Sequence, residues 1–302
     1  MEKSRLRTWI AAMVLVILYA LDIVVGGRIA GMTLPLPAAT MVPEAALILI
    51  AVVVVLGFKG NVKEAFPFKK PEFLKIVGTI LIWLGIFLGT MLVTMITAYF
   101  FPKEIMGVNE QIGGMMGGLS LPVALIMVAV TPAVCEELSF RGALYYFLKE
   151  KGNKWAPILV TAAIFGIFHG SIWRFLPTAV LGVAMGWLLY ESGNMFYNML
   201  FHFVNNAVPV LLMFATSNLV EAATPGMEEI PGAVVGAYMF YASAAPFLVY
   251  AGNYLFHKKD GDRQRKLMPR EKHRILACMT IISVLMITLG MLIIMNSVAG
   301  LF

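Results

Sequence analysis

Long apolar runs recur along nearly the whole chain. Nine of them approach or exceed the length of about 17–25 residues that a helix needs to cross a bilayer core of about 30 Å. They lie at about residues 9–26, 41–58, 76–101, 119–148, 155–173, 175–190, 194–216, 232–256 and 275–296. The runs are continuous rather than alternating, which excludes the strands of a membrane barrel. The sequence therefore predicts an all-α, polytopic transmembrane helical bundle of about eight to nine spans.

The composition supports this class. Of the 302 residues 60% are hydrophobic and only 13% are charged, which is about half the charged fraction of a soluble domain. The net charge of +6 does not indicate nucleic-acid binding, because the basic residues lie in short connections between apolar runs. No internal repeat or Pro-rich or Ser-rich linker is visible, so we predict a single integral membrane domain over residues 1–302.

The basic residues predict the orientation of the chain. Three precede the first run, five lie at residues 59–75, three at 149–154 and eight at 257–274, whereas the alternate connections hold only Arg28, Lys103 and Arg174. Cytoplasmic connections are enriched in Lys and Arg. We therefore predict a cytoplasmic N-terminus and read the first run as a retained span rather than a cleaved signal peptide.

Two features of the sequence leave the number of membrane spans open. The short sixth run and the Gly-rich stretch at residues 113–118 are candidates for re-entrant segments.

The polar stretch from His257 to Arg274 is interpreted as a solvated connection near anionic lipid head groups.

Ionisable side chains inside the runs are few, and they carry the functional information, because each costs several kcal/mol in hydrocarbon unless it is paired or hydrated. Most of them, with two asparagines, lie in the middle of the chain. The set is Asp22, Glu136, Glu137, Arg141, His169, His202, Asn205 and Asn206. We expect Asp22, which stands apart in the first run, to cap or pair locally.

The fourth run contains two adjacent acids and one arginine. Glu137 and Arg141 are four residues apart, so they share a helix face and are expected to pair. Glu136 is rotated from Glu137 by about 100°, so one arginine does not satisfy both acids. One carboxylate therefore needs water or another partner, although a purely structural polar cluster is the alternative.

The polar residues of three runs are predicted to lie in one layer. Counting 1.5 Å per residue from the cytoplasmic end gives depths of roughly 20 Å for Glu136, 21 Å for His169, 14 Å for His202 and 20 Å for Asn206. Such a layer contains the parts for amide hydrolysis. Glu136 is a candidate general base for water and His169 orients the water or shares its proton, while His202 and Asn206 can donate to the oxyanion.

Other hydrolase arrangements are not found in the sequence. There is no H-E-x-x-H zinc motif, no G-x-S-x-G nucleophile motif and no pair of intramembrane aspartates on separate runs. Cys135 and Cys278 lie in apolar runs, where a cysteine usually packs as a small apolar residue. We therefore do not assign Cys135 as the nucleophile.

At these residues the sequence resembles the CAAX proteases and bacteriocin-processing enzymes, the intramembrane glutamate endopeptidases related to the type II CAAX prenyl endopeptidase. The resemblance covers about residues 119–210, whereas the peripheral spans at 1–118 and 219–302 carry no family signature. Three signatures carry it, in order: E-E-x-x-x-R as Glu136, Glu137 and Arg141, F-x-x-x-H as Phe165 and His169, and H-x-x-x-N as His202 and Asn206.

The resemblance implies a helical intramembrane protease with a cavity open to the cytosol and the bilayer. Glu136 and His169 would activate water, and His202 and Asn206 would form the oxyanion hole. The remaining signature residues, Glu137, Arg141 and Phe165, would support the site or meet substrate. The implied partners are membrane lipids and a peptide or lipidated protein substrate, and the block E-E-L-S-F-R-G resembles prokaryotic members, which favours peptide substrates and a prokaryotic cell membrane.

Three alternatives remain at the sequence level. One Glu and two His could supply three zinc ligands with an open fourth position, although we favour a site with no cofactor because ligands on separate runs provide no spacing to test. The same residues could form a proton relay in a transporter. A non-catalytic immunity protein is the third alternative.

Overall fold

The computed structural model describes residues 2–149, 153–223, 230–261 and 272–299. Over these residues the chain is helical, and eight helices are long and apolar enough to cross a membrane. The prediction of an all-α polytopic membrane protein with about eight to nine spans is confirmed, and the chain is an integral membrane protein. The predicted orientation and the single-domain assignment remain predictions. Most of the connection from His257 to Arg274 lies outside the described residues.

We number twelve helices in chain order. They are α1 (residues 2–33), α2 (Leu36–Gly57), α3 (Val62–Ala65), α4 (Phe73–Phe100), α5 (Pro102–Met116), α6 (Leu121–Leu148), α7 (Trp155–Phe168), α8 (Ile172–Ser192), α9 (Met195–Ala223), α10 (Gly232–Ala242), α11 (Ala245–Phe256) and α12 (Lys272–Val298). Helices dominate because hydrocarbon offers no partner to a backbone N–H or C=O, and a helix satisfies these groups within the segment.

Helices α1 and α6 each contain wider, π-helical turns. In α1 this stretch is Asp22–Gly26, and in α6 there are two, Ile126–Val130 and Glu137–Leu144. A π turn inserts a residue into the helical repeat, so it changes the direction in which the following side chains point, and such turns are frequent at functional sites. The acids of the E-E-x-x-x-R signature lie at the start of the second stretch in α6.

The fifth and sixth runs differ from the sequence prediction. Helix α7 ends at Phe168, five residues before the predicted end of the fifth run. The chain turns at Gly170, whose φ of +65° is a left-handed conformation that glycine adopts without strain. Helix α8 then begins at Ile172 and has 21 residues, so the sixth run is full-length and α7, with 14 residues, is the short helix of the pair.

The chain divides into two compact units, of which the first contains residues Met1–Lys70 and Met115–Ala215. In this unit α7 and α8 pack closely through small residues, as is common between membrane helices. A Cβ added to Gly182 would lie 3.0 Å from the Ala162 Cα, and one added to Gly186 would lie 3.3 Å from the Ile158 Cγ2. Because α7 lies close to α8, the residues of the F-x-x-x-H signature at the end of α7 pack against the other helices of this unit.

The second unit contains residues Pro71–Gly114 and Thr216–Phe302. Its helices also meet at glycines. A Cβ on Gly78 would lie 2.7 Å from the carbonyl oxygen of Gly252, and one on Gly236 would lie 2.6 Å from that of Gly290. None of the signature residues belongs to this unit.

Candidate active site

Glu137 of α6 is fully buried and is surrounded by hydrogen-bond donors. Its Oε1 accepts from Arg141 Nη1 at 2.9 Å and lies 3.0 Å from His202 Nδ1, and its Oε2 accepts from Asn198 Nδ2 at 2.7 Å. The pair expected from the i, i+4 spacing is therefore present. Because both oxygens are satisfied and a guanidinium is adjacent, this carboxylate is held in a fixed position with its charge compensated.

Arg141 is also fully buried and lies against an aromatic ring. Its guanidinium carbon is 4.1 Å from the centroid of Phe165, a distance at which the ring face attracts a cation. The ring of Phe165 also meets the imidazoles of His169 and His202 edge-on, at centroid distances of 4.7 and 5.9 Å. Phe165 thus contacts the arginine and both histidines of the signatures.

Glu136 differs from its neighbour in its surroundings. Its Oε2 is buried and has no hydrogen-bond partner among the described residues. This oxygen lies 3.6 Å from His202 Nε2, which is too far for a direct hydrogen bond. One of the two adjacent acids is therefore satisfied by protein groups, and the other keeps an oxygen for a further partner.

His169 directly follows the last residue of α7, and its contact with the backbone fixes its tautomer. Its Nδ1 lies 2.9 Å from the carbonyl oxygen of Phe165. A carbonyl only accepts, so Nδ1 carries the proton, and Nε2 of the neutral ring is left as an acceptor. The ring is therefore arranged to accept a proton or a hydrogen bond at Nε2.

His202 is oriented in the same way by a carboxylate. Because the ionised Glu137 only accepts, His202 donates through Nδ1, and its Nε2 is directed to Glu136. A carboxylate behind an imidazole stabilises the imidazolium when the ring gains a second proton. His202 can therefore donate through Nε2 once it is protonated.

Asn206 is held by the backbone of α6. Its Nδ2 donates to the carbonyl oxygen of Val128 at 3.0 Å, and its Oδ1 accepts from Asn205 Nδ2 at 3.2 Å. Pro132, four residues after Val128, has no N–H to give to that carbonyl. Asn206 thus compensates for a proline in α6, and its amide retains a second N–H.

A cavity of about 220 Å³ adjoins the unpartnered acid. It is lined by Asp22, Ile23, Pro43, Glu44, Leu47, Glu136, Phe140, Phe165, Phe168 and His169. Of the residues predicted to form one polar layer, Glu136 and His169 thus share the cavity, and His202 contacts Glu136 from the side. Among the described residues His202 and Asn206 are not part of this lining.

Sequence reasoning missed three polar residues of this unit. Asn198 lies one helical turn before His202 on α9, a spacing that places it on the same face. Glu44 is an acid inside the second apolar run, and the rule that identified the other intramembrane acids applies to it as well. Arg174, assigned to a connection, lies in α8 within electrostatic range of Glu136.

Asp22 and Cys135 are placed as follows. Asp22 lines the cavity from α1, and its Oδ2 has no hydrogen-bond partner among the described residues. Cys135 is a buried free thiol, and its backbone carbonyl accepts from Ser139 Oγ at 2.8 Å. In the described part of the chain no three His, Cys, Asp or Glu side chains are arranged to hold a metal ion.

Comparison with known proteins supports the resemblance drawn from the signatures. Residues 118–208 match the family described as type II CAAX prenyl endopeptidase Rce1-like, and this segment contains all three signatures. The chain is also similar to a protein of Bacillus subtilis (strain 168) named "Putative membrane peptidase YdiL", with 24% identity over 114 residues. That match covers 37% of this chain and 47% of the relative, so it spans about half of the relative's length. No solved structure matches the chain.

Proposed function

We propose that this protein is an intramembrane endopeptidase that uses Glu136 to activate water against a peptide bond. One observation carries the proposal. The two adjacent acids of α6 have opposite surroundings: Glu137 is satisfied by three protein donors, whereas Glu136 has an unpartnered oxygen beside a cavity that also contains His169. A buried carboxylate without a partner is costly, which favours a functional role for Glu136.

The first step is attack by water. A water molecule in the cavity gives one proton to Glu136 while its oxygen attacks the carbonyl carbon of the substrate. His169 accepts a hydrogen bond from the same water at Nε2, the nitrogen that its contact with Phe165 leaves free. General base catalysis of this kind contributes about 10²–10⁴-fold.

The second step is stabilisation of the oxyanion. His202, protonated and supported by Glu137, donates through Nε2, and Asn206 donates through the amide N–H that Val128 does not use. Preorganised donors of this kind are usually a large contribution to catalysis in a site from which water is excluded. Arg141 and Phe165 act indirectly, since they hold Glu137 and the two imidazoles in place.

The substrate we propose is a membrane-associated or lipidated peptide or protein of a prokaryotic cell membrane. The matched family is named for CAAX prenyl endopeptidases, and the Bacillus relative is named as a membrane peptidase. Both names support a substrate presented at or within the bilayer. The site is surrounded by helices that can cross a membrane, so a substrate anchored in lipid reaches it without leaving the bilayer.

The test compares peptides released in cells and in vesicles. Glu136→Gln and His169→Ala are expected to abolish the appearance of small secreted or membrane-anchored peptides detected by mass spectrometry, while the folded protein accumulates normally. Glu64→Gln, at an exposed position of α3, is the matched control and is expected to behave as wild type. Wild-type cleavage by either the Glu136 or the His169 variant contradicts the proposal.

We propose that the reaction needs no metal. Elemental analysis of active protein tests this, and stoichiometric zinc would replace the metal-free mechanism by a zinc peptidase at the same residues. Proton-dependent flux in vesicles without peptide cleavage would instead support a transporter. An immunity phenotype that survives Glu136→Gln would support a non-catalytic function.

A further inference from the structure

Glu44 of α2 brings a second carboxyl group to Glu136. Both residues line the same cavity of about 220 Å³, and the two carboxyl groups are within hydrogen-bonding reach of each other. The Oε2 atom of each is buried and has no hydrogen-bond partner among the described residues. Two acceptors cannot hydrogen-bond to each other unless one of them carries a proton.

We propose that Glu44 is a second catalytic carboxyl group, which shares one proton with Glu136 and delivers a proton to the departing amine. This inference rests on the proposed peptidase activity of Glu136 and adds the missing acid to it. None of the three signatures includes Glu44.

The charges around Glu44 support a shared proton. It is faced by Asp22 from α1, by Cys135 and Glu136 from α6 and by His169 after α7. Arg174 of α8 also lies within electrostatic range of Glu136.

Three carboxyl groups, those of Asp22, Glu44 and Glu136, therefore share one cavity. Adjacent carboxylates at one site disfavour ionisation of both. A proton held between Glu44 and Glu136 lowers the negative charge of the cavity and allows the two carboxyl groups to hydrogen-bond to each other.

Glu136 and Glu44 together take up and deliver the protons that one turnover requires. At the start Glu136 is a carboxylate and Glu44 a carboxylic acid. Glu136 takes a proton from water as the water oxygen forms a bond to the carbonyl carbon, and the C=O π electrons move to oxygen. When the tetrahedral intermediate collapses, the C–N bond breaks and its electron pair leaves with nitrogen, which takes the proton of Glu44. Transfer of the new proton from Glu136 to Glu44 restores both groups, and one water is consumed.

The experiment compares leaving groups. Internally quenched peptides and the matching depsipeptides, in which an ester replaces the scissile amide, are presented to purified protein in phosphatidylglycerol vesicles. An amine must be protonated to leave, whereas an alkoxide is a better leaving group and depends less on an acid. Glu44→Gln is therefore expected to lower kcat for the amide by about 10²–10⁴-fold, with a much smaller loss for the ester and little change in KM.

Controls separate catalysis from folding. Glu44→Asp keeps an acidic proton and is expected to recover a large part of amide cleavage, whereas Glu44→Ala is not. Glu64→Gln, the same change at an exposed position of α3, is expected to retain the wild-type ratio of amide to ester cleavage. Equal losses of amide and ester cleavage in Glu44→Gln with an unchanged unfolding midpoint, or wild-type amide cleavage by that variant, would overturn the proposal.

A second readout does not require activity. Infrared spectra of protein labelled with ¹³C in its glutamates are expected to show a protonated carboxyl band at neutral pH. This band should disappear in Glu44→Gln and shift in Glu136→Gln, while Glu64→Gln, at an exposed position outside the cavity, leaves it unchanged. If wild type cleaves neither substrate but the band behaves in this way, the peptidase proposal fails and the proton-sharing pair stands. If the band is unaffected by Glu44→Gln, the pair itself is rejected.

Discussion

The Nδ1 atom of His202 lies 3.0 Å from Oε1 of Glu137. This contact joins α9 to α6 and fixes the ring so that its other nitrogen is directed to Glu136, at 3.6 Å. One imidazole therefore makes a direct contact with one of two glutamates that are adjacent in sequence and leaves a longer gap to the other. The first consequence is a difference in what each acid contributes to stability and to catalysis.

Glu137→Gln is expected to destabilise the protein, because it leaves the buried Arg141 without its counterion. Breaking a buried ion pair in this way costs about 3–5 kcal/mol of unfolding free energy. Glu136→Gln is the matched control in the adjacent position, and it is expected to leave stability nearly unchanged, because it leaves no buried charge without a counterion and its Oε2 has no hydrogen-bond partner to lose. Denaturant unfolding in detergent measures both. Equal destabilisation by the two variants would contradict the different surroundings of the acids.

Gly182→Ala is expected to impair the site by displacing Arg141. The new methyl group would lie 2.9 Å from Arg141 Nη2 and 3.0 Å from the backbone of Ala162. The backbone has little freedom to move, so the arginine must shift, and such overpacking costs about 1–3 kcal/mol. Peptide cleavage is expected to fall together with the unfolding midpoint.

The control for this change is Gly186→Ala, one helical turn later. There the methyl group meets the Ile158 Cγ2 at 3.3 Å, and a side-chain end can adjust. Wild-type cleavage by Gly182→Ala, or an equal loss in both variants, would argue against a role for the Arg141 position.

Asn206→Ala is expected to lose both stability and activity, and Pro132→Ala separates the two effects. The alanine at 132 restores an N–H that the Val128 carbonyl can use, so the double variant is expected to recover most of the about 1–3 kcal/mol lost with the asparagine. The loss of kcat, about 10²–10³-fold for an oxyanion donor, is expected to persist. Recovery of activity in the double variant would show that Asn206 acts only as a structural partner of α6.

Phe165→Leu is expected to weaken the packing of Arg141 and of both imidazoles. The cation–ring contact contributes about 0.5–2 kcal/mol, so we expect a modest loss of stability with a fall in kcat and little change in KM. Phe147→Leu provides the same substitution at a buried ring that contacts Phe58 and Tyr146 and does not line the cavity. A similar fall in kcat in both variants would indicate a general packing effect rather than the contact with Arg141.

The spacing of residues along the chain predicted the local part of the site. Glu137 and Arg141 pair as their separation requires, since residues four apart on a helix are neighbours whatever surrounds them. The same spacing argument could have identified Asn198, because it lies one turn before His202. Glu44 could be recognised in the sequence as an acid in an apolar run, but nothing in that run indicated that it would lie beside Glu136.

The sequence by itself determined the class of the protein, because the transfer of apolar side chains into lipid depends on composition and accumulates along each run. It also determined which side chains were costly to bury. Only the tertiary structure decided which of two adjacent acids is satisfied, which nitrogen of each imidazole is free, and that a carboxyl group from α2 joins the cavity. These properties depend on how helices distant in sequence rotate and slide against one another, and that arrangement is set by the packing of many side chains from several helices together.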